Sequence, residues 1–120
     1  MTRIIFFRRG GVFYGFEEVG HSGFDDVGFD VLCAAISSMT MLVINTIEVA
    51  LETDVQYVVD EIRTKISVTS LEALPDYSDD EKQQYAVSNV FKGYYLQLKD
   101  MQEEYYENLS VEIRDDEDVV

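Results

Sequence analysis

The order of the predicted elements indicates an α+β domain, in which an antiparallel or mixed sheet is packed by two long helices. Segments rich in β-branched and aromatic residues come in pairs, and two long stretches carry helical patterns of apolar residues. Their order along the 120 residues is ββ-α-ββ-α-β. This length matches one domain, which we place at residues 1–114, followed by an acidic C-terminal tail at 115–120.

The first two strands are predicted in TRIIFFRR and VFYGFEEVGH, with Gly10 and Gly11 between them. Adjacent glycines favour the tight turn of a hairpin, because glycine adopts positive φ at low cost. The glycines and aspartates that follow predict a loop from Ser22 to Phe29. Gly20 and Gly28 bracket this loop and are its candidate hinges.

A long apolar helix is predicted from Asp30 to Glu52. Its sequence, DVLCAAISSMTMLVINTIEVALE, lacks glycine and proline and is apolar on almost every side, which is typical of a helix buried on more than one face. The run also has about the length needed to span a membrane, roughly 20 residues. Its serine, threonine, asparagine and glutamate side chains argue against that alternative, and so does the lack of flanking basic residues. We therefore expect no membrane partner.

The second half of the chain predicts another hairpin, a helix and a last strand. The hairpin strands are placed at Val55 to Ile62 and Lys65 to Leu71, with Arg63-Thr64 as a two-residue turn between them. Arg-Thr is poor turn chemistry, so a turn shifted by a residue or two is the alternative. Ser78 and Glu81 have the spacing of a capping box, so the second long helix should begin there and end near Glu107. LSVEIR then alternates as a strand. One stripe of the helix predicts core or a dimer interface and contains Val87, Val90, Phe91, Tyr94, Leu98, Met101 and Tyr105.

The charge of the chain is strongly negative and unevenly distributed. The formal net charge is −15, from 24 acidic and nine basic residues. Arg3, Arg8 and Arg9 lie near the start, whereas 14 carboxylates lie between Glu72 and Asp118. Such a field repels nucleic acid phosphates and anionic membranes and favours basic partners. The composition therefore predicts no direct binding to nucleic acid.

His21 is the only histidine of the chain, and Cys33 is the only cysteine. One cysteine cannot form an intramolecular disulfide, and this pair cannot supply a four-ligand zinc site. We therefore expect no metal. The N-terminal residues show no long apolar region followed by a small-residue cleavage site, so a cytoplasmic location is expected.

Cys33 and His21 form a candidate nucleophile and base. If Asp30 is the N-cap, Cys33 lies in the first turn of the helix, where unpaired amides and the helix dipole favour a thiolate. His21 ends the preceding strand, and the loop between them is long enough to bring the imidazole to the sulfur. The alternative is a buried structural cysteine and an unrelated histidine. These residue types alone leave both interpretations open.

The neighbouring residues that could support this pair also have two interpretations each. Asp30 either caps the helix or orients the histidine as the third member of a triad. Ser37 lies four residues after the cysteine on the same helix face, where its hydroxyl reaches the site or bonds a backbone carbonyl. Gly20 and Gly28 suit the hinges of a moving lid, although an ordinary surface loop uses glycine as well.

The stretch GHSGFDDVGFDVLCAAIS resembles the signature of the ribosomal-processing cysteine proteases, the Prp family. That signature is Gly-His, a short variable loop, and then Gly-x-Asp-x-x-Cys-Ala-Ala/Gly-x-Ser. The family layout of two strands, a helix opened by the nucleophile, a hairpin, a long helix and a last strand is similar over nearly the whole chain. The matching positions are Gly20, His21, Gly28, Asp30, Cys33, Ala34, Ala35 and Ser37.

The resemblance implies a cysteine endopeptidase that removes the N-terminal extension of a large-subunit ribosomal protein precursor. It implies that Cys33 attacks the scissile carbonyl, that His21 acts as general acid and base, and that no cofactor is needed. It also implies a homodimer. Two other functions remain open, a non-catalytic ribosome-associated binding module and a redox-responsive thiol protein. Neither of these would require a general base at His21.

Overall fold

The computed structural model describes residues 1–20 and 27–116, with the side chains of residues 27–30 outside that description. In those ranges the chain forms five strands and two long helices. A π-helical segment at Thr46–Ala50 continues the first helix, and a 3-10 turn covers Leu71–Ala73. The strands are β1 (Thr2–Arg9), β2 (Val12–Val19), β3 (Gln56–Asp60), β4 (Lys65–Thr69) and β5 (Leu109–Asp115), and the helices are α1 (Val27–Asn45) and α2 (Glu81–Glu104).

The strands form one mixed sheet in the order β3-β4-β2-β1-β5. β1 is parallel to β5, whereas the pairs β1–β2, β2–β4 and β3–β4 are antiparallel. Both helices pack against one face of the sheet, where Glu18 of β2 contacts Thr40 of α1 and Tyr94 of α2. The predicted α+β class is confirmed, and the sheet is mixed rather than purely antiparallel.

The first predicted hairpin is confirmed. Gly10 and Gly11 connect its strands with φ values of 55° and 82°. Two successive positive φ values are typical of a type I′ turn, whose twist matches that of the flanking strands. Glycine adopts this backbone without the strain that a Cβ atom would add.

The second hairpin is present, but its strands are shorter and its turn longer than predicted. Four residues, 61–64, connect β3 to β4. The carboxylate of Asp60 accepts hydrogen bonds from the amides of Ile62 and Arg63, both at 3.1 Å. An aspartate that bonds the backbone in this way starts a turn. The prediction of a two-residue turn was wrong because this side chain ends β3 earlier.

The N-terminus of α2 is capped by Asp80 rather than by Ser78. The Asp80 carboxylate accepts from the amides of Lys82 at 3.0 Å and Gln83 at 3.2 Å. The Ser78 hydroxyl instead donates to the side-chain oxygen of Gln83 at 2.8 Å. A carboxylate at the cap also interacts favourably with the positive end of the helix dipole. The helix ends at Glu104, three residues before the predicted end.

The core lies between the sheet and the two helices and is rich in aromatic residues. Phe6 and Phe16 of the sheet are fully buried, and the Phe16 ring contacts Phe91 and Tyr94 of α2 with centroid distances of 6.0 and 5.1 Å. Four members of the predicted α2 stripe are buried. The core interpretation of that stripe is therefore confirmed. The buried members are Val87, Phe91, Tyr94 and Leu98.

Helix α1 is buried on one face, not on more than one face as predicted. Leu32 and Ile36 are fully buried. On the other side, Val31, Met41 and Leu42 are 56%, 44% and 65% exposed. The single chain therefore leaves an apolar surface of α1 in contact with solvent.

The continuous helical segment Val31–Ala50 is long and apolar enough to cross a membrane, judged by length and composition alone. That test is weak evidence, because the core helix of a soluble protein also passes it. Ile36 and Ile47 within the segment are fully buried against the rest of the chain. Their burial favours the core-helix interpretation.

The first two residues of the predicted acidic tail, Asp115 and Asp116, are paired with arginines of β1, and β5 extends one residue into that tail. Asp115 belongs to β5, and its carboxylate binds Arg8 at 2.7 Å. Asp116 binds Arg9 at 2.8 Å and accepts a hydrogen bond from Tyr14 at 2.8 Å. These bonds hold the pKa of both carboxyl groups below the ordinary value. Residues 117–120 lie outside the described residues.

Candidate active site

Cys33 lies in the second turn of α1 and is buried. The helix begins at Val27, so Cys33 is its seventh residue, and its side chain is 7% exposed. The predicted first-turn position is wrong, because the helix includes residues that were assigned to the preceding loop. Gly28 does not prevent this, since glycine in a helix costs only about 1 kcal/mol relative to alanine.

This position changes the physical argument for a thiolate at Cys33. Only the first four amides of an α-helix lack an intrahelical acceptor, and the dipole acts mainly within the first turn. The seventh residue has neither advantage. A thiolate at Cys33 therefore requires another source of stabilisation, for which His21 is the candidate from the sequence.

The structure also revises the predictions for Asp30 and Gly28. Asp30 is the fourth residue of α1 and does not precede the helix, so its predicted N-cap position is wrong. Gly28 lies in the first helical turn, so it is not a hinge at the end of a loop. His21 and residues 22–26 lie outside the described residues. A triad that includes Asp30 and His21 stays a prediction.

Ser37 follows Cys33 by one helical turn and is exposed. Residues four apart on a helix share a face, so the two side chains start from neighbouring positions. Cys33 therefore lies at the border between the buried face of α1 and its exposed face. The supporting role of the Ser37 hydroxyl stays a prediction.

Gly20 is required where β2 passes the N-terminus of the chain. Its φ is 78°, and a Cβ atom at this position would lie 2.6 Å from the carbonyl oxygen of Met1. Its amide donates a hydrogen bond to the carbonyl of Thr64 at 3.1 Å. A close backbone approach thus accounts for the glycine, and its role as a hinge stays a prediction.

A buried carboxyl group, which our sequence reasoning missed, connects the strand before His21 to the helix of Cys33. Glu18 is 1% exposed. The hydroxyl of Thr40 donates to its Oε1 atom at 2.5 Å, and the hydroxyl of Tyr94 donates to the same atom at 3.0 Å. Strand alternation from the buried Phe16 would have indicated that Glu18 faces the core.

Burial raises the pKa of Glu18 above its ordinary value, although the hydrogen bonds from Thr40 and Tyr94 favour the charged carboxylate. Burial also raises the pKa of Tyr94, and the nearby carboxyl group adds to this effect. On the sheet, the cross-strand neighbours of Glu18 are Ile4 and Ile66. The apolar surroundings thus favour the neutral form of the carboxyl group.

We expect Glu18→Gln to remove one pH dependence of the stability. Glu18 binds its proton more tightly in the folded chain, so its contribution is complete below its ordinary pKa of 4.5 and is lost as pH rises through the folded pKa. Glutamine does not titrate. The Tm of the variant minus that of the wild type should therefore increase as pH rises above about 4.5. Thermal unfolding of both proteins from pH 4 upward measures it, and a constant difference would contradict the raised pKa.

A family model described as cysteine protease Prp matches residues 1–110 of this chain. The chain belongs to the Prp family of cysteine proteases. The resemblance noted in the sequence is confirmed, and so is the cysteine protease class. No curated protein matches the sequence significantly.

Solved structures share the Prp fold over nearly the whole chain. SMU.848 from Streptococcus mutans is 28% identical with a TM-score of 0.79, and the match covers 97% of this chain and 99% of that one. An essential ribosomal processing protease Prp from S. aureus, in complex with a substrate peptide, is 16% identical with a TM-score of 0.76. That match covers 95% of this chain and 100% of the S. aureus chain. A second S. aureus structure, with a covalently linked product peptide, has a TM-score of 0.74 at 16% identity, with the same two coverages.

Proposed function

We propose that this protease removes the N-terminal extension of a large-subunit ribosomal protein precursor. The family match over residues 1–110 supports this proposal, together with the fold shared with the S. aureus ribosomal processing protease. Cys33 is the proposed nucleophile, because a cysteine protease needs a cysteine and this chain has one. His21, the only histidine, is the proposed general acid and base.

The proposed reaction proceeds through an acyl-enzyme. His21 accepts the proton of the Cys33 thiol as the sulfur attacks the scissile carbonyl carbon, and it transfers this proton to the leaving amine as the C–N bond breaks. Water then attacks the thioester and gives a proton to His21. His21 returns that proton to the Cys33 sulfur as the C–S bond breaks, which releases the carboxylic acid and restores the thiol. No oxidant, reductant or cofactor enters this sequence.

The charge of the chain supports a basic substrate. A net charge of −15 attracts ribosomal proteins, which are basic because they bind RNA, and accelerates their encounter with the enzyme. The attraction is a long-range effect and does not select the cleaved bond. We propose a cytoplasmic location, because the proposed substrate is a ribosomal protein and ribosomes are assembled in the cytoplasm.

The proposed enzyme is a homodimer. In the described chain, the exposed side chains on α1 and the π-helical segment include Val31, Met41, Leu42 and Val49, the last being 66% exposed. Contiguous apolar residues on a helix surface are typical of a protein interface. Sedimentation equilibrium should give twice the monomer mass of 13.8 kDa. Leu42→Glu should shift the equilibrium toward monomer, because it places a charge in the proposed interface.

The decisive experiment is cleavage of a peptide that spans the junction between extension and mature ribosomal protein. We expect one new N-terminus, identified by mass spectrometry, and no cleavage of a peptide of the same composition in scrambled order. Absence of cleavage by the folded protein would contradict the proposed endopeptidase. Binding without cleavage would instead support the non-catalytic binding module.

A further inference from the structure

We infer that Glu18, Thr40 and Tyr94 form a positioning element that fixes β2 relative to α1. The inference rests on the proposed function, because it takes as the catalytic pair Cys33, which lies on α1, and His21, which follows the end of β2 by two residues in the sequence. Glu18 itself is a positioning residue, since it acts through the backbone of its strand. Neither the family match nor the related structures assign it such a role.

The three side chains connect three separate elements through one oxygen atom. Oε1 of Glu18 on β2 accepts from the hydroxyl of Thr40 on α1 and from the hydroxyl of Tyr94 on α2. The two hydroxyl oxygens are also 3.0 Å apart, within hydrogen-bond distance of each other. The Tyr94 hydroxyl lies 3.4 Å from the carbonyl oxygen of Ile36 on α1. A triangle of short polar contacts therefore fixes the positions of strand and helix more narrowly than apolar packing would.

The positioning element lies close in the chain to both proposed catalytic residues. Glu18 precedes His21 by three residues, and Thr40 follows Cys33 by seven. Seven residues are almost two helical turns, so Cys33 and Thr40 share a face of α1, with Cα atoms about 10 Å apart. A shift of α1 along or across β2 would therefore move the sulfur relative to the strand that leads to His21.

A buried glutamate at position 18 is better explained by a role in positioning β2 and α1 than by a contribution to stability alone. Its neighbours on the adjacent strands, Ile4 and Ile66, are apolar, and an apolar side chain at this site would also fill the core. Burying a carboxyl group instead carries a desolvation cost, which its hydrogen bonds offset only in part. Polar groups that break the apolar pattern of a core are expected where function requires a defined geometry.

Thr40→Val tests the inference, with Thr46→Val as the matched control. Valine keeps the shape of threonine but removes the donor to Glu18. Among the described residues, the Thr46 hydroxyl bonds the carbonyl of Leu42 in its own helix. We expect kcat for the junction peptide to fall about 10- to 100-fold in Thr40→Val, with little change in KM. The control should retain the wild-type kcat. Equal kcat values in the two folded variants would overturn the inference.

Substitutions of Glu18 separate positioning from a merely structural role. Glu18→Gln keeps an oxygen that accepts both hydroxyl donors and should retain most of the rate. Glu18→Leu removes that acceptor and should lower kcat as Thr40→Val does, even if its Tm equals or exceeds that of the wild type. Loss of kcat that merely follows loss of Tm across these variants would show a structural role and overturn the inference.

A second measurement does not depend on peptide cleavage. The rate of Cys33 alkylation by iodoacetamide, recorded against pH, reports the ionisation and access of the thiol. We expect its midpoint to shift in Thr40→Val and Glu18→Leu but not in Thr46→Val. If the wild type cleaves no peptide, the proposed function fails, and this profile still tests the positioning element. If the wild type cleaves and neither kcat nor the profile differs among variants, only the positioning inference fails.

Discussion

Cys33→Ala is expected to abolish cleavage of the junction peptide, with a loss of at least about 10⁴-fold in kcat. The reason is that alanine cannot form the acyl-enzyme, and the chain contains no second cysteine that could replace it. His21→Ala should cause a loss of similar size, because no other histidine is present to transfer the proton. Release of a fluorescent product under excess substrate measures both rates.

The matched control for Cys33→Ala is Ser38→Ala, an exposed position on the same helix. It should leave kcat unchanged and shows that a truncation on α1 does not by itself disturb the site. Circular dichroism of all variants confirms that they are folded. Cleavage that persists in Cys33→Ala would exclude Cys33 as the nucleophile.

The helix start at Val27 leads to a specific prediction for the effect of His21→Ala on the ionisation of the Cys33 thiol. Because Cys33 lies beyond the first turn, the helix N-terminus cannot be a sufficient cause of a thiolate. Alkylation of Cys33 at mildly acidic pH should therefore be fast in the wild type and slow in His21→Ala. Fast alkylation in the variant would indicate a source of thiolate stabilisation other than the imidazole.

Phe91→Ala should lower the free energy of unfolding by about 3–5 kcal/mol. Phe91 is fully buried, and its ring meets that of Phe16 edge to face at a centroid distance of 6.0 Å. Alanine removes this contact and leaves a cavity where helix and sheet meet. Domains of this size are stable by only about 5–15 kcal/mol, so the loss is a large fraction of the total.

Urea unfolding followed by circular dichroism measures the effect of Phe91→Ala. Leu96→Ala is the control on the same helix, because Leu96 is 53% exposed. The control should change the free energy of unfolding by less than about 0.5 kcal/mol. Alanine has a higher helix propensity than phenylalanine or leucine, so a loss of similar size in both variants would contradict the buried ring as the cause.

Elements that depend on local pattern were predictable from the sequence. The Gly10-Gly11 turn follows from backbone geometry, and the α2 stripe follows from apolar spacing. Helix ends were less predictable because several side chains compete for them. Ser78 and Asp80 both suit the α2 cap, and the sequence does not show which one reaches the free amides. The α1 start at Val27 was missed because Gly28 was interpreted as a loop residue.

Features that depend on pairing between distant segments were not predictable. Asp115 and Asp116 have the composition of a solvated tail, and only the parallel pairing of β5 with β1 brings them to Arg8 and Arg9. For the candidate site, the sequence motif indicated His21 and Cys33, the proposed catalytic pair. The inward position of Glu18 follows from strand alternation, but its hydrogen-bond partners lie 22 and 76 residues away along the chain and were not predictable.

The parallel pairing of β1 with β5 also has a consequence for biosynthesis. Arg3 of β1 and Glu112 of β5 form an ion pair across these strands and are separated by 109 residues along the chain. During synthesis, the edge of β1 that pairs with β5 therefore has no partner until β5 has left the ribosome. Contacts of such long range slow folding, and an open edge exposes the chain to incorrect pairing. We expect the sheet to be completed only after β5 has left the ribosome.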